Sequence, residues 1–307
     1  MNNKLVLTGV ISKKWGCVLP DAEKINEIKK MFPGGIKILC RPTSNPELKI
    51  EASKIIPDVE ISAGDFDDKN FMEGALFEAD TVLHVAGIYN TEKILEAALK
   101  NNVRRLILVH TTGIYSKYKS AGENYRKIDE LVTKKCHENN IVLTILRPTM
   151  IYGNIKDNNI SVFIKMVDKF PLMPVVSGGN FNLQPVLYKD LTKAYFEVLT
   201  HENETANKNY ILSGGEIISF RDLLTVIAEN LGKQIKFVSI PFFMAYSLAW
   251  VLYLMTFGKK DYREKVQRLC EPRAYPHDEA KNDFGYSPVK FREGIVDEVK
   301  EYKCAKK

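Results

Sequence analysis

Tyr125 and Asp129 stand four residues apart in the segment "ENYRKIDELV", whose apolar spacing predicts a helix. Residues four apart share one helix face, so the carboxylate is expected to lie beside the phenol. A tyrosine can exchange a proton with a hydroxyl or carbonyl oxygen of a substrate. A neighbouring carboxylate disfavours tyrosinate and raises the tyrosine pKa, which opposes that exchange. The pair therefore predicts slow acid–base chemistry at this helix.

The composition excludes several classes of protein. The 307 residues are 45% hydrophobic and 27% charged, and the net charge of +6 is too small to indicate nucleic-acid binding. Five dispersed cysteines without a C-x-x-C pair predict a reducing compartment, and five dispersed histidines predict no metal site. The opening "MNNKLVLTG" begins a strand at once, which predicts no signal peptide and a cytoplasmic protein.

Strand and helix patterns alternate through the first half of the chain. Apolar strands are predicted at 4–9, 35–41, 80–87, 103–115 and 141–148, and helices at 21–32, 90–102 and 123–140. This alternation predicts an α/β fold with a doubly wound parallel sheet that helices cover on both faces. The second half is less regular, with helices predicted at 160–170, 189–201, 219–232 and 242–256. It predicts a smaller α+β lobe.

Several phrases in fixed order resemble one family. They are "LVLTG" (5–9), "GDFDD" (64–68), "ADTVLHVAG" (79–87), "LRPTMIYG" (146–153), "LQPVLYKDLTKA" (183–194) and "DFGYSPVKFREGI" (283–295). Together they resemble the extended short-chain dehydrogenase/reductase family, which includes NAD-dependent epimerases and dehydratases, over nearly the whole chain. The similarity is greatest to its atypical branch, which includes an accessory subunit of respiratory complex I.

The resemblance implies a dinucleotide-binding Rossmann domain over 1–152, which residues 183–200 rejoin, and a substrate-binding lobe over 153–307. It implies catalytic roles for Tyr125 and for Thr111, although Thr111 or Thr112 could equally be a hydroxyl at a strand end. The implied cofactor-binding residues are Thr8, Gly9, Ser12, Arg41, Asp65, Phe66, Ala86, Gly87, Tyr125, Arg147 and Pro148.

Two segments depart from the family pattern. In the phosphate loop "TGVISKKWG", Ser12 and Trp15 stand where further glycines are usual. Either a shifted loop presents its N–H groups at a helix N-terminus, with Lys13 and Lys14 paired to phosphate, or the cofactor is bound weakly or not at all.

The second departure is Asp129, which replaces the family's lysine one turn after the catalytic tyrosine. A change of Asp129 to Lys is therefore expected to restore the missing cation and to raise any carbonyl chemistry. A literal Y-x-x-x-K does occur at Tyr115–Lys119, but Tyr115 corresponds to a structural tyrosine of the family, so this match is interpreted as coincidence.

Arg41 indicates the choice of cofactor. NAD-preferring relatives place a carboxylate at the end of this strand, whereas an arginine suits the 2′-phosphate of NADP(H). The sequence thus predicts that NADP(H) is preferred over NAD(H). The alternative is an ordinary surface arginine at the end of a strand.

The stretch 240–258 is apolar on all sides, and no charge occurs between Lys236 and Lys259. Such a helix is buried, spans a membrane or lies at a membrane surface. Packing on the core or at a homodimer interface is the preferred interpretation, with peripheral membrane contact as the second. The basic residues that follow suit an anionic membrane or plain solvent: Lys259, Lys260, Arg263, Lys265 and Arg268.

Three functional hypotheses follow. The first is an NAD(P)-dependent oxidoreductase or epimerase acting on a nucleotide-sugar-type or other hydroxyl or carbonyl substrate, and the intact phrases that resemble a Rossmann domain favour it together with the second. The second is a non-catalytic NADP(H)-binding sensor or assembly factor, which Asp129 favours. The third is a membrane-associated scaffold without cofactor, which Trp15 and the apolar stretch favour.

Overall fold

The computed structural model describes residues 3–118, 120–259 and 261–306, so Lys119 and Lys260 of the patterns above lie outside the described residues. The strands are β1 (Lys4–Thr8), β2 (Ile11–Ser12), β3 (Gly16–Cys17), β4 (Ile36–Cys40), β5 (Glu60–Ala63), β6 (Ala79–His84), β7 (Arg105–Val109), β8 (Val142–Pro148), β9 (Ile151–Tyr152), β10 (Leu172–Val176), β11 (Asn182–Leu183), β12 (Val186–Leu187), β13 (Asn209–Leu212), β14 (Ile218–Ser219) and β15 (Lys236–Ile240).

The α-helices are α1 (Ala22–Met31), α2 (Pro46–Ile55), α3 (Lys69–Ala75), α4 (Thr91–Lys100), α5 (Gly122–Glu138), α6 (Ile160–Lys169), α7 (Tyr188–Thr200), α8 (Glu202–Thr205), α9 (Phe220–Leu231), α10 (Phe242–Met255), α11 (Arg263–Leu269), α12 (Asp278–Phe284) and α13 (Phe291–Lys306). Short 3-10 turns cover Ile88–Asn90, Thr112–Tyr115 and Ser177–Gly179. The long strand predicted at 103–115 is therefore a five-residue strand followed by one such turn.

The main sheet confirms the predicted fold class. In the described part of the chain it has seven parallel strands in the order β13-β8-β7-β6-β1-β4-β5. The strand order reverses at β1, because the chain runs outward to β4 and β5 and then returns to β6 on the other side. Doubly wound sheets bind ligands at the carboxyl ends of the strands that flank such a switch point.

The central strands are buried on both faces, as their apolar runs predict. Helices α1 and α7 lie over one apolar core and α3 and α4 over another. A third core belongs to the second half of the chain and joins α6, α9 and α13. The side chains of Leu191 and Tyr195 on α7 lie in the core of the sheet, in the segment predicted to rejoin the first domain. The division of the chain near residue 152 stays a prediction.

A short hairpin replaces the expected phosphate loop. After β1 the chain forms the antiparallel pair β2–β3, and Gly16 closes its turn with a φ of 72°, a conformation that glycine adopts at low cost. Val18 and Leu19 then pack into the core before α1 begins. The inserted hairpin explains why the interval between Gly9 and α1 is longer than the family pattern.

The preferred packing of 240–258 on the core is wrong. Helix α10 buries Ala249 alone among its described residues, while Phe243 is 68% exposed and Met255 72% exposed. The helix rests mainly on α11. At 14 residues it is short, and none of the described helices is long and apolar enough to cross a bilayer.

Candidate functional site

A cavity of about 530 Å³ follows the carboxyl ends of β1, β4, β6, β7 and β8. It therefore extends over both sides of the switch point, where a doubly wound sheet binds a dinucleotide. Its volume is in the range of small-molecule sites. Seven residues predicted to bind a cofactor belong to its lining: Gly9, Ser12, Arg41, Phe66, Ala86, Gly87 and Pro148.

The other predicted residues do not line this cavity. Thr8 is buried in β1, where its hydroxyl bonds Nδ1 of His84. Asp65 accepts from the backbone N–H of Asp67 at 3.0 Å and shapes the turn after β5. Arg147 and Tyr125 are buried in contacts described below, and Thr111 lines a second cavity. Their roles toward a cofactor stay predictions.

The β2–β3 hairpin forms one side of the cavity, and two of its backbone N–H groups form hydrogen bonds within the hairpin. The Ser12 hydroxyl accepts from the backbone N–H groups of Lys14 and Trp15, each at 3.2 Å. The Trp15 ring stacks on Tyr188 at the start of α7, with 5.6 Å between ring centroids. The indole is thus accommodated beside α7, and its bulk does not by itself close the cavity.

The N-terminus of α1, where the family pattern places the phosphate site, does not line the main cavity. Asp21 caps this helix by accepting from the backbone N–H of Lys24 at 3.0 Å. Its carboxylate brings a negative charge to the helix end, and Asp21 and Lys24 line a separate depression. The cations that line the main cavity close to the hairpin turn are Lys13 and Lys14.

Asp129 belongs to a buried polar network. Its carboxylate accepts from Nδ1 of His110 at 2.6 Å and from the guanidinium of Arg147. Nε2 of His110 bonds the Thr91 hydroxyl at 3.1 Å. Burial lowers the pKa of His110 despite the nearby carboxylate, so the imidazole is neutral at pH 7. Burial alone would raise the pKa of Asp129, but the bond to His110 and the charge of Arg147 hold it below its usual range.

The Tyr125 hydroxyl bonds the Tyr89 hydroxyl at 2.7 Å. Burial and this hydrogen bond raise the pKa of Tyr125 to about 12. The predicted direction of the shift agrees with the structure, but the predicted cause is wrong, because the charge of Asp129 is neutralised by Arg147. The expectation for Asp129→Lys stays a prediction, and the contacts of Asp129 argue against it, since the new ammonium group would meet Arg147 and His110.

A second, polar cavity of about 190 Å³ lies beyond the ends of β7 and β8, and its lining includes Thr111, Thr149, Arg268 and Arg273. Nε of each arginine is buried and has no hydrogen-bond partner among the described residues. Burial lowers the pKa of Arg273 to about 10, which still leaves the guanidinium charged at pH 7. Two charged, incompletely paired guanidinium groups suit a carboxylate or phosphate.

The two cavities adjoin along the chain. His110 lines the first cavity and the next residue, Thr111, lines the second. In the same way, Pro148 lines the first cavity and Thr149 lines the second. A ligand in either cavity therefore lies next to the same two strand ends. The arrangement can hold an extended cofactor along the sheet and a small anion beside it.

Sequence reasoning missed His110, Tyr188, Arg268 and Arg273. His110 directly precedes the predicted Thr111 at a strand end, which is a usable signal. Arg268 is interpreted from the sequence as part of the basic flank of the apolar stretch, and Arg273 lies five residues further along the chain. Nothing in their spacing indicates that the chain returns to the ends of β7 and β8.

Comparisons with known proteins agree with this fold. The model of the NmrA-like family matches residues 35–269. A segment of 106 residues is 26% identical to NADH dehydrogenase (ubiquinone) 1 alpha subcomplex subunit 9, mitochondrial, of Arabidopsis thaliana. The aligned segment covers 34% of this chain and 26% of that subunit. The chain thus spans about a quarter of the length of that curated relative.

Two further similarities cover more of the chain. The 2-alkyl-3-oxoalkanoate reductase of Stenotrophomonas maltophilia is 22% identical over 240 residues, which cover 69% of this chain and 72% of the reductase. A solved structure of DesIV from Streptomyces venezuelae, a dTDP-glucose 4,6-dehydratase double mutant with NAD and DAU bound, matches with a TM-score of 0.68. The two sequences are 16% identical, and the match covers 97% of this chain and 96% of the DesIV chain. At this identity the match shows a similar fold.

Proposed function

The chain belongs to the NmrA-like family, and from this premise we propose that it binds a nicotinamide dinucleotide, preferably NADP(H), together with a small anionic ligand. The family match and the solved structures confirm the resemblance to short-chain dehydrogenases and NAD-dependent epimerases. The observation that supports the proposal best is the cavity that crosses the switch point at β1 and adjoins the arginine-lined cavity.

The β4 end of the cavity suits the adenosine part of the cofactor. Phe66 offers an apolar ring, and Arg41, Thr43 and Ser44 line the cavity just after the strand. A guanidinium group and two hydroxyls are suitable partners for a 2′-phosphate, whereas a ribose diol is usually held by a carboxylate. This set supports the preference for NADP(H).

The middle of the cavity differs from the family pattern. The helix end at Asp21 carries a carboxylate, and the Ser12 hydroxyl occupies two amides of the hairpin turn. Lys13 and Lys14 would therefore bind the pyrophosphate as flexible cations. Gly87 and Pro148 would contact the nicotinamide end, where Gly87 leaves open space in place of a side chain.

The neighbourhood of the nicotinamide end favours binding over turnover. A bound nicotinamide would supply hydride chemistry, but the residues of this chain offer poor proton transfer there. Tyr125 is bonded to Tyr89, and Asp129 is bonded to His110 and Arg147. The second of the three hypotheses, a non-catalytic NADP(H)-binding protein, is therefore the function that we favour.

The test is a titration with NADPH and NADH. The chain has two tryptophans, and Trp15 lines the cavity whereas Trp250 lies on α10. In Trp250→Phe the remaining indole is expected to report saturable binding, with the lower Kd for NADPH. In Trp15→Phe the fluorescence of Trp250 is expected to stay constant while calorimetry detects binding. Absence of heat and of a fluorescence change with both nucleotides would contradict the proposal.

A second candidate function is reduction of a carbonyl group in an anionic substrate. The Thr111 hydroxyl and the Arg273 guanidinium share the second cavity, and one relative is by its name a 2-alkyl-3-oxoalkanoate reductase. NADPH oxidation with acetoacetate as probe tests this candidate. Arg273→Met is expected to raise KM at least tenfold, and Arg292→Met, an exposed arginine on α13, is expected to change it little. No NADPH consumption by the parent protein would exclude the candidate for this probe.

A further inference from the structure

One side of α10 is an exposed apolar surface. It is formed by Phe243, Met244, Leu248, Val251, Leu254 and Met255. At 100° per residue these positions span about 140° of the helix circumference, an arc that also contains the exposed Ser247. The opposite side carries Tyr246, Ala249 and Tyr253, which are buried or partly buried, and Phe242, which is 39% exposed. An exposed helix side on which apolar side chains predominate indicates a surface that a membrane or another protein covers.

The surroundings of this surface are basic. Residues 239–258 contain no charged side chain, whereas 259–268 contain five basic and two acidic ones. Asp261 is bonded to Arg263, whose guanidinium also lies 4.2 Å from the ring centroid of Trp250. Lys259 and Lys265 are exposed and have no acidic partner among the described residues. The net positive charge next to the apolar side favours an anionic surface.

A second copy of the chain is a poorer match for this surface. A two-fold interface uses the same patch on both subunits, so it would bring both basic segments to one contact. Neither copy offers exposed carboxylates on α10 to balance them, because the helix has none. An anionic bilayer supplies both an apolar layer for the exposed side and negative charge for the basic segment.

We propose that α10 lies in the surface of a membrane that contains anionic lipids, with its axis in the membrane plane. The 14-residue helix is about 21 Å long. A length of this kind suits an interfacial helix, whose apolar side enters the boundary between headgroups and acyl chains. The protein would thus associate peripherally, with the sheet and both cavities outside the lipid.

Cosedimentation with vesicles tests the proposal. The full chain is expected to bind vesicles of phosphatidylcholine with phosphatidylglycerol, and to bind phosphatidylcholine alone at least tenfold more weakly. Phe243→Ser with Leu254→Ser is expected to reduce binding more than about tenfold at an unchanged Tm, because both side chains are over 60% exposed. The matched control is Ile50→Ser with Phe77→Ser, two side chains of comparable exposure elsewhere, which are expected to leave binding unchanged.

The charges are tested separately. Lys259→Glu with Lys265→Glu is expected to weaken vesicle binding by more than about tenfold, since each cation near an anionic surface contributes roughly fivefold. Brominated lipid is expected to quench the fluorescence of Trp250, and this quenching is expected to be absent in Trp250→Phe. Absence of binding to the anionic vesicles would overturn the proposal. A solution dimer that Phe243→Ser with Leu254→Ser dissociates would overturn it in favour of a second copy.

Discussion

The carboxylate of Asp129 lies 2.6 Å from Nδ1 of His110, so the position that a lysine occupies in related enzymes is here the acceptor of a partly buried hydrogen bond. Arg147 completes the arrangement by an ion pair to the same carboxylate. The site therefore still contains a cation, but this cation is the Arg147 guanidinium on β8, which pairs with the carboxylate of Asp129. It is not available to stabilise a tyrosinate.

Asp129→Lys is expected to lower the free energy of unfolding by about 3–5 kcal/mol, because it leaves Arg147 unpaired and adds a second buried cation. Urea unfolding measures this change. The matched control is Glu130→Lys, the same charge change at an exposed neighbour, with an expected effect within about 0.5 kcal/mol. A stable Asp129→Lys protein with faster carbonyl reduction would reverse our interpretation of the network.

Tyr125→Phe is expected to leave any NADPH-dependent turnover within about tenfold of the parent rate. A general acid typically contributes ~10²–10⁴ in rate, and the raised pKa and the bond to Tyr89 make Tyr125 a poor one. Steady-state kinetics with a carbonyl probe provides the measurement. A robust parent activity that Tyr125→Phe abolishes would show that the tyrosine is catalytic after all.

Arg41→Asp is expected to weaken NADPH binding tenfold to a hundredfold, which corresponds to a loss of about 1.5–3 kcal/mol for charge-assisted hydrogen bonds. NADH binding is expected to stay constant or to strengthen, because a carboxylate can accept from the ribose diol. Calorimetric titrations with NADPH and with NADH measure the two affinities. Lys54→Asp on α2 is the control for the charge change alone, and an equal effect of both variants would remove Arg41 from the site.

Glu298→Gln is expected to flatten the pH dependence of stability. Glu298 is fully buried on α13, and burial together with the charge of Asp157 raises its pKa from 4.5 to about 9. The folded protein therefore keeps a proton that the unfolded chain releases. Stability then falls as pH rises between about 4.5 and 9, by up to ~1.4 kcal/mol per pH unit.

The measurement is urea unfolding of parent and variant at several pH values in that interval. The parent is expected to lose stability relative to Glu298→Gln as the pH rises. Glu293→Gln, on the exposed side of the same helix, is expected to keep the slope of the parent. Parallel curves for the parent and Glu298→Gln would mean that Glu298 is ionised in the folded protein.

The sheet was predictable because its strands are short apolar runs that only burial on both faces explains. The polar network at Asp129 was not, since the i,i+4 spacing relates Asp129 to Tyr125 but gives no information about Arg147 on β8. Helix α10 was assigned correctly as a helix and wrongly as packed on the core, while its place at a homodimer interface stays a prediction. Its sequence is apolar on every side, so the periodicity that usually identifies the buried side is absent.

The position of α11 has a consequence for regulation. This short helix contacts α10 on one side, and its Arg268 lines the second cavity. A bilayer that fixes α10 and an anion that binds Arg268 would both restrict the same segment. Thermodynamic linkage then requires reciprocity: by whatever factor the anion changes the affinity for lipid, lipid changes the affinity for the anion by the same factor. Through α11, the protein could report at the membrane whether its anion site is filled.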